Sequence, residues 1–277
     1  MHQESNNGLC KAKNSIAVGY LIRGADKNWR ESIDRFVAAY QTHPAGAEHE
    51  LYVIAKGFAS RHDLACALAT FRNHRFSDIH VADDSFDIGA YAEAARLISE
   101  DYVCFFNSHA APVSDNWLAK LHLNLEVESV GLVGATGSYE SLHDYDSIFP
   151  RMPNVHVRSN AFMISREQFC AVTDGLTFKS KLDAFLFESG PQSMTRRILD
   201  MGQSVRLVGS NGRGYTPRWW PLSDTFRLRR QENLLVSDNQ TRNYDASRWP
   251  EKRTISERTW GNYLQERFVL KDKTLLA

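Results

Sequence analysis

No two cysteines in this sequence stand in a CxxC spacing, and only four occur in 277 residues, at Cys10, Cys66, Cys104 and Cys170. That scarcity argues against a disulfide framework and for a reducing, cytoplasmic compartment. Cys66 and Cys104 lie among apolar neighbours and are expected to be core thiols. No apolar run is long enough to cross a bilayer. The opening stretch, MHQESNNGLCKAKN, lacks the apolar segment of a secretory signal. Any membrane association is therefore expected to be peripheral. An excess of charge of one sign is also missing, with Lys and Arg at 33 and Asp and Glu at 33. There is no overall field to draw in nucleic acid, and no nucleic-acid partner is expected. Internal repeats, an HExxH and a Ser/His/Asp arrangement are all absent. RGADKNW, after the first apolar run, lacks the GxGxxG of a dinucleotide site. None of the 10 histidines lies beyond His156.

What is present is an ordinary globular composition, 43% hydrophobic and 24% charged. The length suits one large domain with an appendage. Apolar runs SIAVGYLI (15–22), ELYVIAK (50–56), DIHVAD (78–83), YVCFFN (102–107), VGLVGAT (130–136) and SVRLVG (204–209) read as strands. Ile33, Phe36, Val37 and Tyr40 fall on one helix face, as do Leu64, Leu68 and Phe71. GAYAEAARLIS (89–99) is an Ala-rich helix, and Ser114 or Asp115 is the expected cap of another. VHVRSNAFMISREQF (155–169) reads as a strand turning into a helix, and SMTRRILDMG (193–202) as a helix closed by Gly202. Strands alternating with helices predict a mostly parallel sheet flanked by helices, an α/β fold. Three segments follow: a loose tail at 1–14, a main unit at 15–217, and an irregular, Arg- and Trp-rich C-terminal extension at 218–277 packing on or over the site.

The chemistry concentrates where apolar strands end, because ligands bind at the carboxyl ends of strands in open α/β sheets. The run DYVCFFNSHAAP turns polar at Asn107, Ser108 and His109 before Pro112. Together with the acidic turn at Asp83, Asp84 and Asp87, the Ala-rich helix and the following Trp-Leu, DIGAYAEAARLISEDYVCFFNSHAAPVSDNWL (87–118) resembles the GT-A fold glycosyltransferases of the family 2-like group. VHVRSNAFMISREQF resembles their acceptor-side segment. FESGPQSMTRRILDMG resembles the region of their catalytic carboxylate. The resemblance implies a transferase that moves a sugar from a nucleotide-diphosphate donor to a glycan, lipid-linked glycan or other hydroxyl acceptor, with inversion, as in polysaccharide biosynthesis.

In that family a DXD triplet holds a divalent cation, manganese or magnesium, against the donor diphosphate. Here the triplet is degenerate, since NSH stands in its place. His109 is the one candidate metal ligand, and a neutral Asn–His pair is a weak cage for a hard cation. Without metal the diphosphate needs cations, and Arg23, Lys56, Arg229 and Arg230 are the candidates. The resemblance puts Asp83, Asp84, Asp87, Asn107, Ser108 and His109 beside the donor. Arg158, Asn160, Trp219 and Trp220 are the acceptor-side candidates. Glu188 is the expected base, on a loop before a helix opened by Ser189 or Gly190 and Pro191, and Asp183 is the runner-up. Plainer roles stay open: Asp83 and Asp84 as helix caps, the tryptophans as anchors of the tail, Arg23 and Lys56 as solvated loop charges. Two other functions also stay open, a pseudoenzyme that binds a glycan or partner and a nucleotidyltransferase.

Overall fold

The computed structural model describes residues 14–265. The expected loose tail, apart from Asn14, lies outside them, as does Cys10. Along the chain come β1 (Ile16–Arg23), α1 (Trp29–Thr42), β2 (Glu50–Lys56), α2 (Arg61–Ala69), β3 (Phe76–His80), α3 (Asp87–Leu97) and β4 (Tyr102–Phe106). Next are β5 (Ala111–Pro112), α4 (Trp117–Leu125), β6 (Val130–Gly134), β7 (Gly137–Ser138), β8 (His156–Val157) and β9 (Ala161–Ser165). The helices α5 (Arg166–Thr173), α6 (Lys181–Ser189) and α7 (Met194–Asp200) lead to β10 (Ser204–Val208) and β11 (Gly214–Tyr215). A 3-10 segment at Pro217–Leu222, β12 (Val236–Ser237), α8 (Asn239–Ala246) and α9 (Trp249–Trp260) complete the described chain, with a last 3-10 turn at Gly261–Leu264.

Eight strands form one sheet in the order β11-β10-β6-β9-β4-β1-β2-β3. Pairing is parallel except along β9 and at β11. The continuous apolar strands are explained by cover on both faces. Ala17 and Leu21 of β1 pack with α3, α5 and α7 on one face. Val18, Tyr20 and Ile22 pack with α1, α2 and α4 on the other. This mostly parallel sheet flanked by helices is the fold class the sequence predicts.

From β1 the chain steps outward to β2 and β3, then returns to place β4 on the other side of β1. The ends of β1 and β4 therefore flank a crevice at the switch point, the usual ligand position in such sheets. Because β9 runs antiparallel to β4, with Phe106 opposite Ala161, the residues entering β9 lie at the same edge as those leaving β4.

Several local expectations are corrected. Cys66 is exposed on α2, whereas Cys104 is fully buried in β4, where burial pushes its thiol pKa up. The third strand ends at His80. The cap of α4 is Asn116 in the left-handed region with no side-chain cap bond, rather than Ser114 or Asp115. The segment at 155–169 holds two strands, β8 and β9, before its helix. Within the described residues the C-terminal extension is not irregular, and its part from 266 to 277 lies outside them. It carries α8 and α9, and Trp220, Phe226 and Trp260 enter the same core as the sheet.

Candidate active site

A cleft of about 380 Å³ opens at the switch point. Arg23 and Asp26 reach it from the end of β1, Lys56 from the end of β2, and Asp83 and Asp84 from the turn after β3. Asp87 comes from the first turn of α3, Ser108 and His109 from the turn after β4, and Lys179 from the loop before α6. Arg23 grips Asp83 with two nitrogens, Nε to Oδ1 at 2.9 Å and Nη2 to Oδ2 at 3.0 Å. This hydrogen-bonded guanidinium holds the Asp83 carboxyl below the usual range, against a smaller opposing push from burial. The Lys56 ammonium lies 3.5 Å from Asp83 and donates to the Ser85 carbonyl, although its side chain is almost entirely buried. Gly57, at φ +64, lets the chain turn there, and a Cβ on it would stand 2.6 Å from Asp83 Oδ2.

The NSH turn is fixed from within. Asn107 Oδ1 accepts the His109 backbone N–H at 3.1 Å, and Ser108 Oγ donates to Asp26 Oδ2 at 3.1 Å. The Tyr20 hydroxyl donates to the Ser108 carbonyl, and Arg242 of α8 donates to that of His109. Burial raises the Asp87 pKa, opposed chiefly by Lys56. Cation and carboxylate charges therefore interleave across the cleft, which can meet phosphate and sugar hydroxyls at once.

A second cleft, about 180 Å³, lies where the chain enters β9. Its lining includes Glu140, His156, Arg158, Glu188, Arg227 and Gln240. Glu188 accepts the Ser159 backbone N–H at 2.8 Å and the Ser159 hydroxyl, both on Oε2. Arg158 is held by the fully buried Asp238 at 2.8 Å and lies 4.4 Å above the Phe226 ring. Arg227 pairs with Glu140 at 3.2 Å. Burial lowers the pKa of His156, partly offset by the nearby Glu188 carboxylate. The His156 Nδ1 faces the Asn154 carbonyl at 2.8 Å, so the neutral ring carries its proton there. At the sheet edge one bond, Asn107 N–H to the Asn160 carbonyl at 2.9 Å, ties the turn of Ser108 and His109, which line the first cleft, to the turn of Arg158, which lines the second. Between them Tyr91 is fully buried, and burial first, then the Asp87 and Glu188 charges among others, hold its phenol well above its ordinary pKa.

The expected donor residues thus separate. Arg23, Lys56, Asp83, Asp84, Asp87, Ser108 and His109 share one cleft, with Asn107 shaping its turn. Arg229 and Arg230 do not join them. Both are exposed, on a stretch where Arg227, Arg229 and Gln231 take positive φ. On the acceptor side, Arg158 lines the second cleft. Asn160 lines neither cleft; it is buried, its Oδ1 accepting from Thr136 Oγ1 at 2.6 Å. Trp220 is fully buried, its indole N–H bound to the Tyr215 carbonyl, so its face is closed to a sugar. Trp219 lines neither cleft. Glu188 does not precede a helix; it lies in the last turn of α6, and Gly190 and Pro191 separate α6 from α7. Asp183 forms a capping box with Ser180 at the other end of α6. Sequence reasoning missed Asp26, Lys179, Glu140, His156, Arg227, Gln240 and Asp238. Only Asp238 carries a local signal, the cap spacing Asp-x-x-Thr ahead of α8.

Manganese or magnesium at the NSH turn would need several oxygen or imidazole ligands converging there. Asn107 Oδ1 and Ser108 Oγ are already turned to other partners. Among the described residues no three His, Cys, Asp or Glu side chains gather so as to hold an ion. The turn does not fit a metal cage.

No family model matches the sequence, and no curated protein matches it. Solved structures resemble it in part. A 4-diphosphocytidyl-2C-methyl-D-erythritol synthase from Anaerococcus prevotii aligns at 12% identity, over 70% of this chain and 86% of its own, with a TM-score of 0.46. Glucosyl-3-phosphoglycerate synthase from Mycobacterium tuberculosis, in complex with manganese, UDP and phosphoglyceric acid, aligns at 16% identity, over 57% of this chain and 58% of its own, TM-score 0.40. The galactosyltransferase LgtC, with donor and acceptor sugar analogues, aligns at 11% identity, over 56% of this chain and 59% of its own, TM-score 0.41. The chain spans less than two thirds of the length of the last two enzymes. Likeness at this level assigns no activity. No helix among the described residues is long and apolar enough to cross a membrane.

Proposed function

We propose that this chain is a glycosyltransferase that moves a sugar from a nucleotide-diphosphate donor to a hydroxyl of a glycan or similar acceptor, with inversion. The observation that carries the reading is the adjacency of two unlike clefts at one sheet edge. One interleaves cations and carboxylates at the switch point. The other is built around a carboxylate bonded twice through a single oxygen. In this reading Lys56, Lys179, His109 and Arg23 meet the diphosphate, and Asp83 and Asp84 accept hydrogen bonds from ribose or base. Ser159 fixes Glu188 through Oε2, and Oε1 takes the proton of the attacking hydroxyl as it closes on the anomeric carbon. Arg158, itself held by Asp238, orients the acceptor. The departing diphosphate carries charge that the chain's own cations stabilise.

Calorimetry with a panel of nucleoside diphosphates, with and without chelator, tests the donor half. At least one should bind, and chelator should leave its affinity unchanged. Arg23→Ala should weaken it about tenfold or more, the loss of one charge-assisted pair. Binding abolished by chelator and restored by manganese would return a metal to His109. Failure of every nucleoside diphosphate to bind would end the transferase reading. One observation favours a second reading, a binding module without turnover: Arg23 and Lys56 are already satisfied by Asp83. Donor binding without transfer or donor hydrolysis would select it.

A further inference from the structure

One cation seat of the first cleft is already taken by the chain itself. Arg23 turns the Nε and Nη2 edge of its guanidinium to Asp83, at 2.9 and 3.0 Å, the two-point fork by which arginine also takes phosphate. The buried Lys56 ammonium lies 3.5 Å from the same carboxylate. Asp83 therefore stands where a phosphate would meet both cations. The seat is shaped for it: Gly57 leaves room that a Cβ, 2.6 Å from Asp83 Oδ2, would fill. Arg23 is also held from another side, its Nη1 donating to Asp26 Oδ1 at 3.2 Å while Asp26 Oδ2 accepts from Ser108. The guanidinium thus keeps its place if Asp83 swings away. Asp83 itself sits in the turn between β3 and α3, its side chain 26% exposed. Asp84 lines the same cleft and, among the described residues, pairs with neither cation.

We propose that Asp83 determines specificity at this cleft as a latch, which yields the Arg23 fork to a diphosphate only where the same ligand brings ribose hydroxyls for the displaced carboxylate. This role rests on the transferase reading above and adds how the donor site selects among phosphates. A phosphate set beside the seated Asp83 puts two anions against each other, so it has to displace the carboxylate. Displacement breaks charge-assisted bonds, and the freed oxygens then need donors. Free phosphate or pyrophosphate is an array of acceptor oxygens and offers few. A nucleoside diphosphate brings anion and hydroxyls together, so both halves of the broken pair are satisfied again. Pyrophosphate is turned away although it carries the same diphosphate.

Calorimetry of the full chain with inorganic pyrophosphate and with the panel of nucleoside diphosphates tests the latch. Asp83→Asn keeps the shape and removes the charge. Pyrophosphate should bind this variant about tenfold or more tighter than wild type, as Arg23 and Lys56 come free, while nucleoside diphosphate should gain much less. Asp84→Asn removes an equal charge from the same cleft without freeing a cation, and its gain should be far smaller. Gly57→Ala unseats Asp83 without altering charge and should move pyrophosphate the same way. It decides the matter if Asp83→Asn does not fold, which a melting curve reports. Pyrophosphate bound no more tightly by the folded variant than by wild type would overturn the latch, and nucleoside diphosphate binding by wild type would then leave the transferase reading standing. An equal gain in Asp84→Asn would overturn the latch too, reducing the effect to net charge. So would a nucleoside diphosphate that gains in Asp83→Asn as much as pyrophosphate does. Pyrophosphate tightened in Asp83→Asn, with no nucleoside diphosphate bound by wild type, would end the transferase reading and leave Asp83 a block against every phosphate, its selecting role overturned.

Discussion

Ser159 holds Glu188 on one side only, through its backbone N–H and its hydroxyl. Among the described residues the carboxylate is oriented without being paired to a cation, which suits the proton acceptor proposed for it. Glu188→Gln keeps the shape and removes the basicity. Transfer should fall by about 10² to 10⁴ in a radiolabelled-donor assay, with nucleotide affinity near that of wild type. Asp183→Asn should reduce turnover far less and lower the melting temperature slightly, because Asp183 serves the helix cap. His156 supplies a pH signature. Its folded pKa lies below the ordinary histidine value, so the folded state binds fewer protons than the unfolded chain. The stability it contributes is present above the unfolded value and is lost as pH falls towards the folded one. Melting temperature should therefore drop between about pH 7 and pH 5, and His156→Gln should flatten that drop. At this scale the lining of the switch-point cleft was largely legible, because Arg23, Lys56 and His109 follow apolar runs and strand ends are easily read. Arg227 was not, since nothing in FRLRR tells an inward arginine from Arg229 and Arg230, which the positive-φ turns carry outward.

Among the elements, α6 defeated the sequence reading. Ser189, Gly190 and Pro191 look like the opening of a helix, and they are instead the end of α6 and the start of the break before α7. Two short helices separated by a Gly-Pro step produce the same local pattern as a loop before one longer helix, and only packing tells them apart. Phe187 turning into the core is the packing that decides it. The turn after β2 makes a sharper case. Gly57 is in the left-handed region, and Asp83 fills the space its side chain would take. Gly57→Ala should cost about 1–2 kcal/mol in a denaturant titration from backbone strain alone. It should also displace Asp83 from Arg23, so nucleotide affinity should change in the same variant.

For the whole molecule, the C-terminal segment forms a wall of the site. Trp260 is fully buried and donates its indole N–H to the Phe226 carbonyl, and Asp238 anchors Arg158. The segment's composition concealed this. Its helices are short and polar, and a few large anchors rather than a periodic stripe attach it to the sheet. Trp260→Ala should therefore destabilise the entire protein by about 3–5 kcal/mol, seen as one cooperative transition at lower denaturant. Limited proteolysis without nucleotide should spare residues 218–260, where a mobile flap would be cut first.

The reversed direction of β9 has a further consequence. A single backbone bond, Asn107 to Asn160, ties the turn that carries Ser108 and His109 to the turn that carries Arg158. Neighbouring strands keep a spacing of about 4.8 Å whatever side chains they carry. The gauge between the turn that carries Ser108 and His109 and the turn that carries Arg158 is thus cut into the backbone, and drift in the outer loops leaves its width unchanged.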